Sequence, residues 1–214
     1  MPTADLRKRW QELAGRFCSD DAAIDAAWIE IENGYSEQGR HYHTLSHVAA
    51  LFLLEDEYAR AIVQPEAFGF AIFYHDLIYK VARSDNEAMS AVAARRRLEG
   101  LGADDEIVGM TCGLIEATAH MGDGDLPGGA DAVLLIDFDL GILGASRRDY
   151  AAYAEAVRRE YAIYSDDDYG HGREQVLCSF LARPQIYHTP ELFARWEEPA
   201  RENLSWELAH LTAE

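Results

Sequence analysis

Apolar residues in this chain recur at steps of three and four. Leu6, Trp10, Leu13 and Phe17 form one such stripe, Leu51, Leu54 and Tyr58 a second, and Phe68, Ala71, Ile72 and His75 a third. On a helix of 3.6 residues per turn each stripe covers one side of a core. Only the segment AVLLIDFDLGIL, Ala132 to Leu143, could be a strand, because it opens as a continuous apolar run. A strand needs a partner, and no second strand-like run is present to pair with it. The segment therefore reads as a buried helix whose acids face inward, and the fold class expected is all-α, a helical bundle.

Helix punctuation agrees with that reading. Thr189-Pro190-Glu191 has the form of an N-cap followed by proline at the first helical position, and Ser84 with Glu87 has capping-box spacing. Gly100, Gly102 and the stretch MGDGDLPGGAD break the middle of the chain, the latter as a loop. With 214 residues, 49% of them hydrophobic, the chain can fill one core and is short for two. No repeat or linker divides it, so one domain over residues 1–214 is expected.

A formal charge of -19 repels polyanions, which argues against a nucleic-acid duplex or an anionic membrane surface as partner. A small anionic ligand stays compatible if local cations hold it. Cys18, Cys112 and Cys178 are odd in number, far apart and form no CxxC pair, which fits a reducing cytoplasm better than a disulfide framework. The opening MPTADLRKRWQELAGRF lacks the apolar centre of a signal peptide, and no apolar run is long enough to span a bilayer. No feature of the sequence sets an oligomeric state.

The chemistry concentrates in a few short stretches. RHYHTLSHVAAL, from Arg40 to Leu51, holds three of the eight histidines. His43 and His47 are four apart, so a helix starting near Thr44 would stack them on one face, with His47 heading the stripe of Leu51, Leu54 and Tyr58. His41 points elsewhere and reads as a surface residue. In FGFAIFYHDLIYK, His75 lies on an apolar face and is followed at once by Asp76. A carboxylate in so apolar a helix needs a cation or strong donors to compensate its burial. IDFDLGIL places Asp137 and Asp139 in another apolar segment. Two nitrogen and two oxygen donors are thus available from three helices. That mixture suits a divalent ion such as Mn, Mg, Fe, Co or Zn with positions left for water and substrate.

The order His, then His-Asp, then a distant Asp, all on helices, resembles the HD superfamily of metal-dependent phosphohydrolases. The resemblance runs from about Arg40 to Leu143 and more weakly to Tyr187. It is strongest to a short bacterial group with an RxYHxxxH start and HDxxY followed by NExxSA, here RHYHTLSH, HDLIY and NEAMSA. It implies a single HD-type helical domain with a motif core over about 40–143, a helical C-terminal extension over about 144–214, and a metal site between helices. The ligands it implies are His47, His75, Asp76 and Asp139. Asp139 is preferred over Asp137 because leucine follows it, as in the superfamily pattern; Asp137 is then an acid behind the ligands or the partner of a basic residue.

A more distant similarity to cyclic-nucleotide phosphodiesterases, which share a Tyr-His start with a metal histidine four residues on, implies that His43 protonates the leaving oxygen. Thr44 stands where those enzymes have asparagine, and their purine clamp is missing. The activity implied is hydrolysis of a small phosphate ester, a nucleotide or related phosphomonoester or phosphodiester, with one ion sufficing. Glu87 has two readings, the capping partner of Ser84 or a carboxylate that orients water as a base. His120 reads as a residue at the edge of the site or as the end of a helix. Lys80, Arg173 and Arg183 are the candidate cations for an anionic substrate, the two arginines ten apart and nearly on one face if their helix is unbroken; Tyr187 is a candidate pocket residue. The alternative function is a metal- and ligand-binding HD-fold sensor or scaffold without turnover. Di-iron oxygenases of the HD fold need more histidine ligands than this chain places.

Overall fold

The computed structural model describes residues 3–119 and 129–211. Every regular element among them is helical, as the spacing of apolar residues predicts. The order is α1 (Thr3–Ala14), α2 (Asp21–Tyr35), α3 (Leu45–Tyr58), α4 (Pro65–Tyr74), α5 (Asn86–Gly100), α6 (Asp105–Ala117) and α7 (Gly129–Asp139). A short 3-10 helix (Leu140–Gly144) follows, then α8 (Arg147–Glu160), α9 (Asp166–Leu181) and α10 (Pro190–Leu211). The chain divides into two units, one up to Ile136 and one from Asp137. No helix among the described residues is long and apolar enough to cross a membrane.

The first unit is built around α4. From Ala67 to Tyr74 every residue of this helix is buried, the signature of a helix enclosed on all sides rather than amphipathic. Phe73 gathers the aromatic rings of three neighbours: Trp10 of α1 at 5.3 Å, Trp28 of α2 at 6.4 Å and Phe52 of α3 at 4.6 Å. Thr111 of α6 donates to the Ala67 carbonyl at 3.4 Å on a further side. The start of α4 has no side-chain cap of its own. The buried Asp131, in the first turn of α7, supplies one from a distance, accepting the N–H groups of Val63 and Gln64 at 2.8 Å each.

The sequence stripe on α3 shifts slightly. The buried residues are His47, Val48, Ala49, Leu51, Phe52 and Glu55, while Leu54 and Tyr58 are only half-buried. Ser84 is not the cap of α5: the N-cap position is Asp85, without a side-chain cap bond. Two side chains of NEAMSA instead tie the preceding loop to α5. Asn86 Oδ1 accepts the Lys80 N–H at 3.0 Å and its Nδ2 donates to the Lys80 carbonyl at 3.1 Å, while the Ser90 hydroxyl accepts the Ile78 N–H at 3.0 Å. The glycine-rich stretch lies outside the described residues except for Gly129, Ala130 and Asp131, which open α7.

In the second unit Trp196 of α10 lies against Gly141 and Gly144; a Cβ at Gly144 would stand 2.5 Å from the Trp196 Cβ. Helix α10 begins at Pro190, directly after Thr189, as the Thr-Pro-Glu signal predicts. Asp137 anchors that start. Its carboxylate accepts the His188 N–H at 3.0 and 3.1 Å and the Thr189 N–H at 2.6 Å.

One glycine in the first unit controls how closely the chain after α4 can approach. A Cβ at Gly34 of α2 would lie 2.6 Å from Leu77 Cδ1 and 3.1 Å from the Leu77 carbonyl oxygen. The methyl could swing away, but the carbonyl is held by Arg40 Nη2 at 2.7 Å. Gly34→Ala should therefore destabilise by about 1–3 kcal/mol from overpacking, against a gain in helix propensity of about 1 kcal/mol. A lowered midpoint in chemical denaturation with unchanged slope checks this; a stabilised variant would show that the Leu77 turn can move.

Candidate metal centre

His47, His75 and Asp76 converge just past the C-terminal end of α4. His75 is the first residue beyond that helix and still has helical backbone, its N–H donating to the Ala71 carbonyl at 2.9 Å. Its ring Nδ1 lies 3.0 Å from the Ile72 carbonyl oxygen. A carbonyl can only accept, so Nδ1 carries a proton and Nε2 is the nitrogen that faces inward. There His75 Nε2 meets His47 Nε2 at 3.1 Å and Asp76 Oδ2 at 3.2 Å. His43 Nε2 and His47 Nε2 each stand 3.9 Å from the same carboxylate oxygen.

A ring lone pair facing a carboxylate oxygen at this range is repulsive until a cation, proton or metal, comes between them. Burial works against ionisation of Asp76, but the positive charge that His75, His43 and His47 carry when protonated, together with the His75 hydrogen bond, outweighs it and holds its carboxyl well below the usual carboxylate range. Two donors bound to one ion at about 2.1 Å stand roughly 3.0 Å apart at right angles and roughly 3.4 Å apart at tetrahedral angles. The ligand atoms of His47, His75 and Asp76 lie within 4.8 Å of one another. The cluster could therefore hold a divalent ion. Its donor set, two imidazole nitrogens and a carboxylate oxygen, is that of borderline first-row metals.

Two residues of the cluster depart from the helical positions their spacing predicts. His43 is not on the face of α3 with His47: Thr44 caps the helix from extended backbone (φ -123, ψ 176), its hydroxyl accepting the Ser46 N–H at 3.3 Å. His43 lies in the bend before that cap, and reaches Asp76 from there. Nor is Asp76 inside a helix, since α4 ends at Tyr74. It sits in the following turn, which frees it from the divergence that two successive helical residues would have.

Three further residues hold this arrangement. Arg40, only 9% exposed, donates from Nη1 to the carbonyls of His43 and Asp76 at 3.2 and 2.7 Å, and from Nη2 to that of Leu77 at 2.7 Å. Tyr79 stacks on the His43 ring with centroids 4.0 Å apart, and Tyr42 meets His43 edge-on at 5.0 Å. Arg40 and Tyr79 belong to the motifs RHYH and HDLIY, but the carbonyls and the ring they meet are set by the fold. An arginine three residues before a histidine, in an acidic chain and among tyrosines, was the available signal.

The remaining site candidates have these places. Asp139 is the last residue of α7 and half-buried. Asp137 is fully buried and has both oxygens on backbone N–H groups; burial raises its pKa against the pull of the bonds from Thr189 and His188. Its hydrogen-bond partners are thus backbone N–H groups at the start of α10, and His188 also pulls its pKa down. Lys80 is exposed and its Nζ pairs with Glu37 at 2.7 Å. Glu87 is half-buried in the first turn of α5. Arg173 is buried in a two-pronged pair with Glu207, Nε at 2.7 Å and Nη2 at 3.0 Å. Arg183 lies beyond the end of α9, which stops at Leu181, so the two arginines share no unbroken helix; it stacks over Phe180 at 4.3 Å. Tyr187 is fully buried, its hydroxyl donating to the Leu140 carbonyl at 2.9 Å. His120 lies outside the described residues, and His41 is exposed.

No family model, no curated protein and no solved structure matches this chain.

Removing His75 or Asp76 deletes a donor and leaves the others buried without compensation. His75→Ala and Asp76→Ala should each lose stoichiometric metal, measured by elemental analysis of protein loaded with Mn or Zn and freed of excess by gel filtration. Metal retained at the wild-type level in both would remove the centre.

Proposed function

We propose that this protein is a metal-dependent phosphohydrolase acting on a small phosphate ester, a nucleotide or related phosphomonoester or phosphodiester. The observation that carries the reading is the inward-facing His75 Nε2, its proton fixed on the far side by the Ile72 carbonyl, with His47 Nε2 at 3.1 Å and Asp76 Oδ2 at 3.2 Å. These residues are the ones the HD resemblance names. In that reading His47, His75 and Asp76 hold the ion, and the Asp139-Leu140 pair of the sequence pattern makes Asp139 the fourth ligand. An ion so held supplies Lewis-acid polarisation of a phosphoryl oxygen and acidifies water.

The chain's own contribution to bond cleavage is a proton. His43 is next to the cluster, its side chain is 19% exposed, and its ring is braced by Tyr79 and Tyr42 rather than by a helix. Its greater exposure supports a role that reaches a substrate oxygen, whereas the side chains of His47 and His75 are only 4% and 1% exposed. His43 hands its proton to the leaving oxygen as the ester bond breaks. Glu87, half-buried in the first turn of α5, is the candidate carboxylate for orienting water.

His47→Ala should lose metal, whereas His43→Ala should keep it and lose turnover. For an alkyl phosphate, whose leaving group needs protonation, the loss in kcat should be about 10²- to 10⁴-fold; for p-nitrophenyl phosphate it should be much smaller. Equal metal loss in both variants would make His43 a ligand, and unchanged rates on both esters would remove its catalytic role. A phosphate-release screen over nucleotides and sugar phosphates with Mn, Mg, Co, Fe and Zn tests the activity itself, and no release from any of them by fully loaded protein would overturn it.

The two acids at the end of α7 separate in the same way. Asp139→Ala should lower metal affinity. Asp137→Ala should keep it and cost about 1–3 kcal/mol of stability, because the His188 and Thr189 N–H groups lose their acceptor. Metal titration and urea denaturation of both variants check this; metal loss confined to Asp137→Ala would exchange the two roles.

A further inference from the structure

Of the three histidines that approach Asp76, His43 alone has neither a helix nor a helix end to set its backbone. Its position comes from elsewhere. The Arg40 guanidinium binds the carbonyl of His43 on one side and those of Asp76 and Leu77 on the other, so one planar group joins the bend before α3 to the turn after α4. The same guanidinium lies over the rings of Tyr35 at 5.2 Å and Tyr79 at 5.5 Å. Tyr79 in turn stacks on the His43 ring with an interplanar angle of 28°. Arg40 thus touches the His43 backbone directly and its ring by way of Tyr79, while Tyr42 meets the ring edge-on.

We propose that Arg40 and Tyr79 are positioning residues that hold the His43 ring at the reacting end of the site, Arg40 by fixing the bend to the His75-Asp76 turn and Tyr79 by fixing the ring plane. The inference rests on the assignment of His43 as proton donor. Lysine cannot replace Arg40 in this, because a compact ammonium does not reproduce a planar fork that spans three carbonyls under two tyrosine rings. A residue that only stabilised the fold would slow every substrate alike and would act independently of His43.

The test is a double-mutant cycle with Arg40→Lys, Tyr79→Ala, His43→Ala and the two double variants, assayed with an alkyl phosphate and p-nitrophenyl phosphate. Metal content is measured in each, and the His43 ring protons are followed by NMR in zinc-loaded protein. In metal-saturated protein Arg40→Lys and Tyr79→Ala should lower kcat on the alkyl ester about 10- to 100-fold, the order of loss that misplacing a reacting group brings, and spare the aryl ester. Neither should slow the His43→Ala variant further. In Arg40→Lys the His43 ring protons should move downfield as the ring leaves the shielding face of Tyr79.

Losses that multiply with that of His43→Ala, or that are equal on both esters, would overturn the proposal, as would unmoved His43 signals in Arg40→Lys. Should Arg40→Lys fail to fold, the cycle with Tyr79→Ala, at a partly exposed position, decides by the same criteria. Should His43→Ala leave both rates at wild type, the proton-donor assignment falls, and the NMR shift alone decides whether Arg40 and Tyr79 hold the ring.

Discussion

From Ala67 to Tyr74 the helix α4 is buried throughout, up to its C-terminal end. The chain emerging from it must find donors within the protein. Arg40 supplies two of its nitrogens to the turn at Asp76 and Leu77. Ser90 and Asn86 take over further along, donating to the carbonyls of Ile78 and Lys80 from the first turns of α5. The tightness of that turn is what lets His75 and Asp76, adjacent in sequence, face one point. Gly34 belongs to the same constraint, since a side chain there would push Leu77 out of the reach of Arg40.

Much of the architecture was legible because burial is periodic. The stripes on α1, α3 and α4, the proline that opens α10 and the helical character of AVLLIDFDLGIL are all read from spacing. Helix ends are less so, since they are decided by which group captures the last free N–H or C=O. Thr44 takes the capping position of α3, which leaves His43 outside. Asp85 rather than Ser84 precedes α5, and the acceptor at the start of α4 comes from Asp131, far along the chain. Such long-range caps leave no local pattern. The same holds for side chains whose partner is remote: Arg173 is answered by Glu207 and Tyr187 by the Leu140 carbonyl, neither of which spacing could reveal. His47, His75 and Asp76 were legible for the opposite reason, because ionisable groups inside apolar stripes violate the burial rule and so mark themselves.

The large negative charge of the chain takes on a different meaning once its acids are placed. Asp20, Asp104, Asp131 and Asp137 accept backbone N–H groups at or just before helix starts, where a carboxylate is favoured by both the unpaired donors and the helix dipole. Glu30, Glu55, Glu197 and Glu207 are paired with arginines. These eight of the 38 acids therefore serve helix starts and arginine pairs. Asp76 differs from all of them: its facing groups are imidazoles, which bind a proton or a metal ion according to what is offered. It is the chemistry of the partners, and not the density of carboxylates, that singles out the centre.

The four-residue spacing of His43 and His47 first appears as one helical face and turns out to be two different environments. His47 is buried in the first turn of α3, with its backbone fixed by the cap at Thr44 and its ring against His75. His43 stands one residue before that cap, more exposed, and is braced by an aromatic ring and an arginine. A metal ligand benefits from a rigid, buried seat, because its donor atom must not wander. A proton donor must reach substrate, so it needs an open side and an orientation set from outside the helix. The boundary at Thr44 creates both kinds of position within four residues, and a helix that began one turn earlier would have made the two histidines alike.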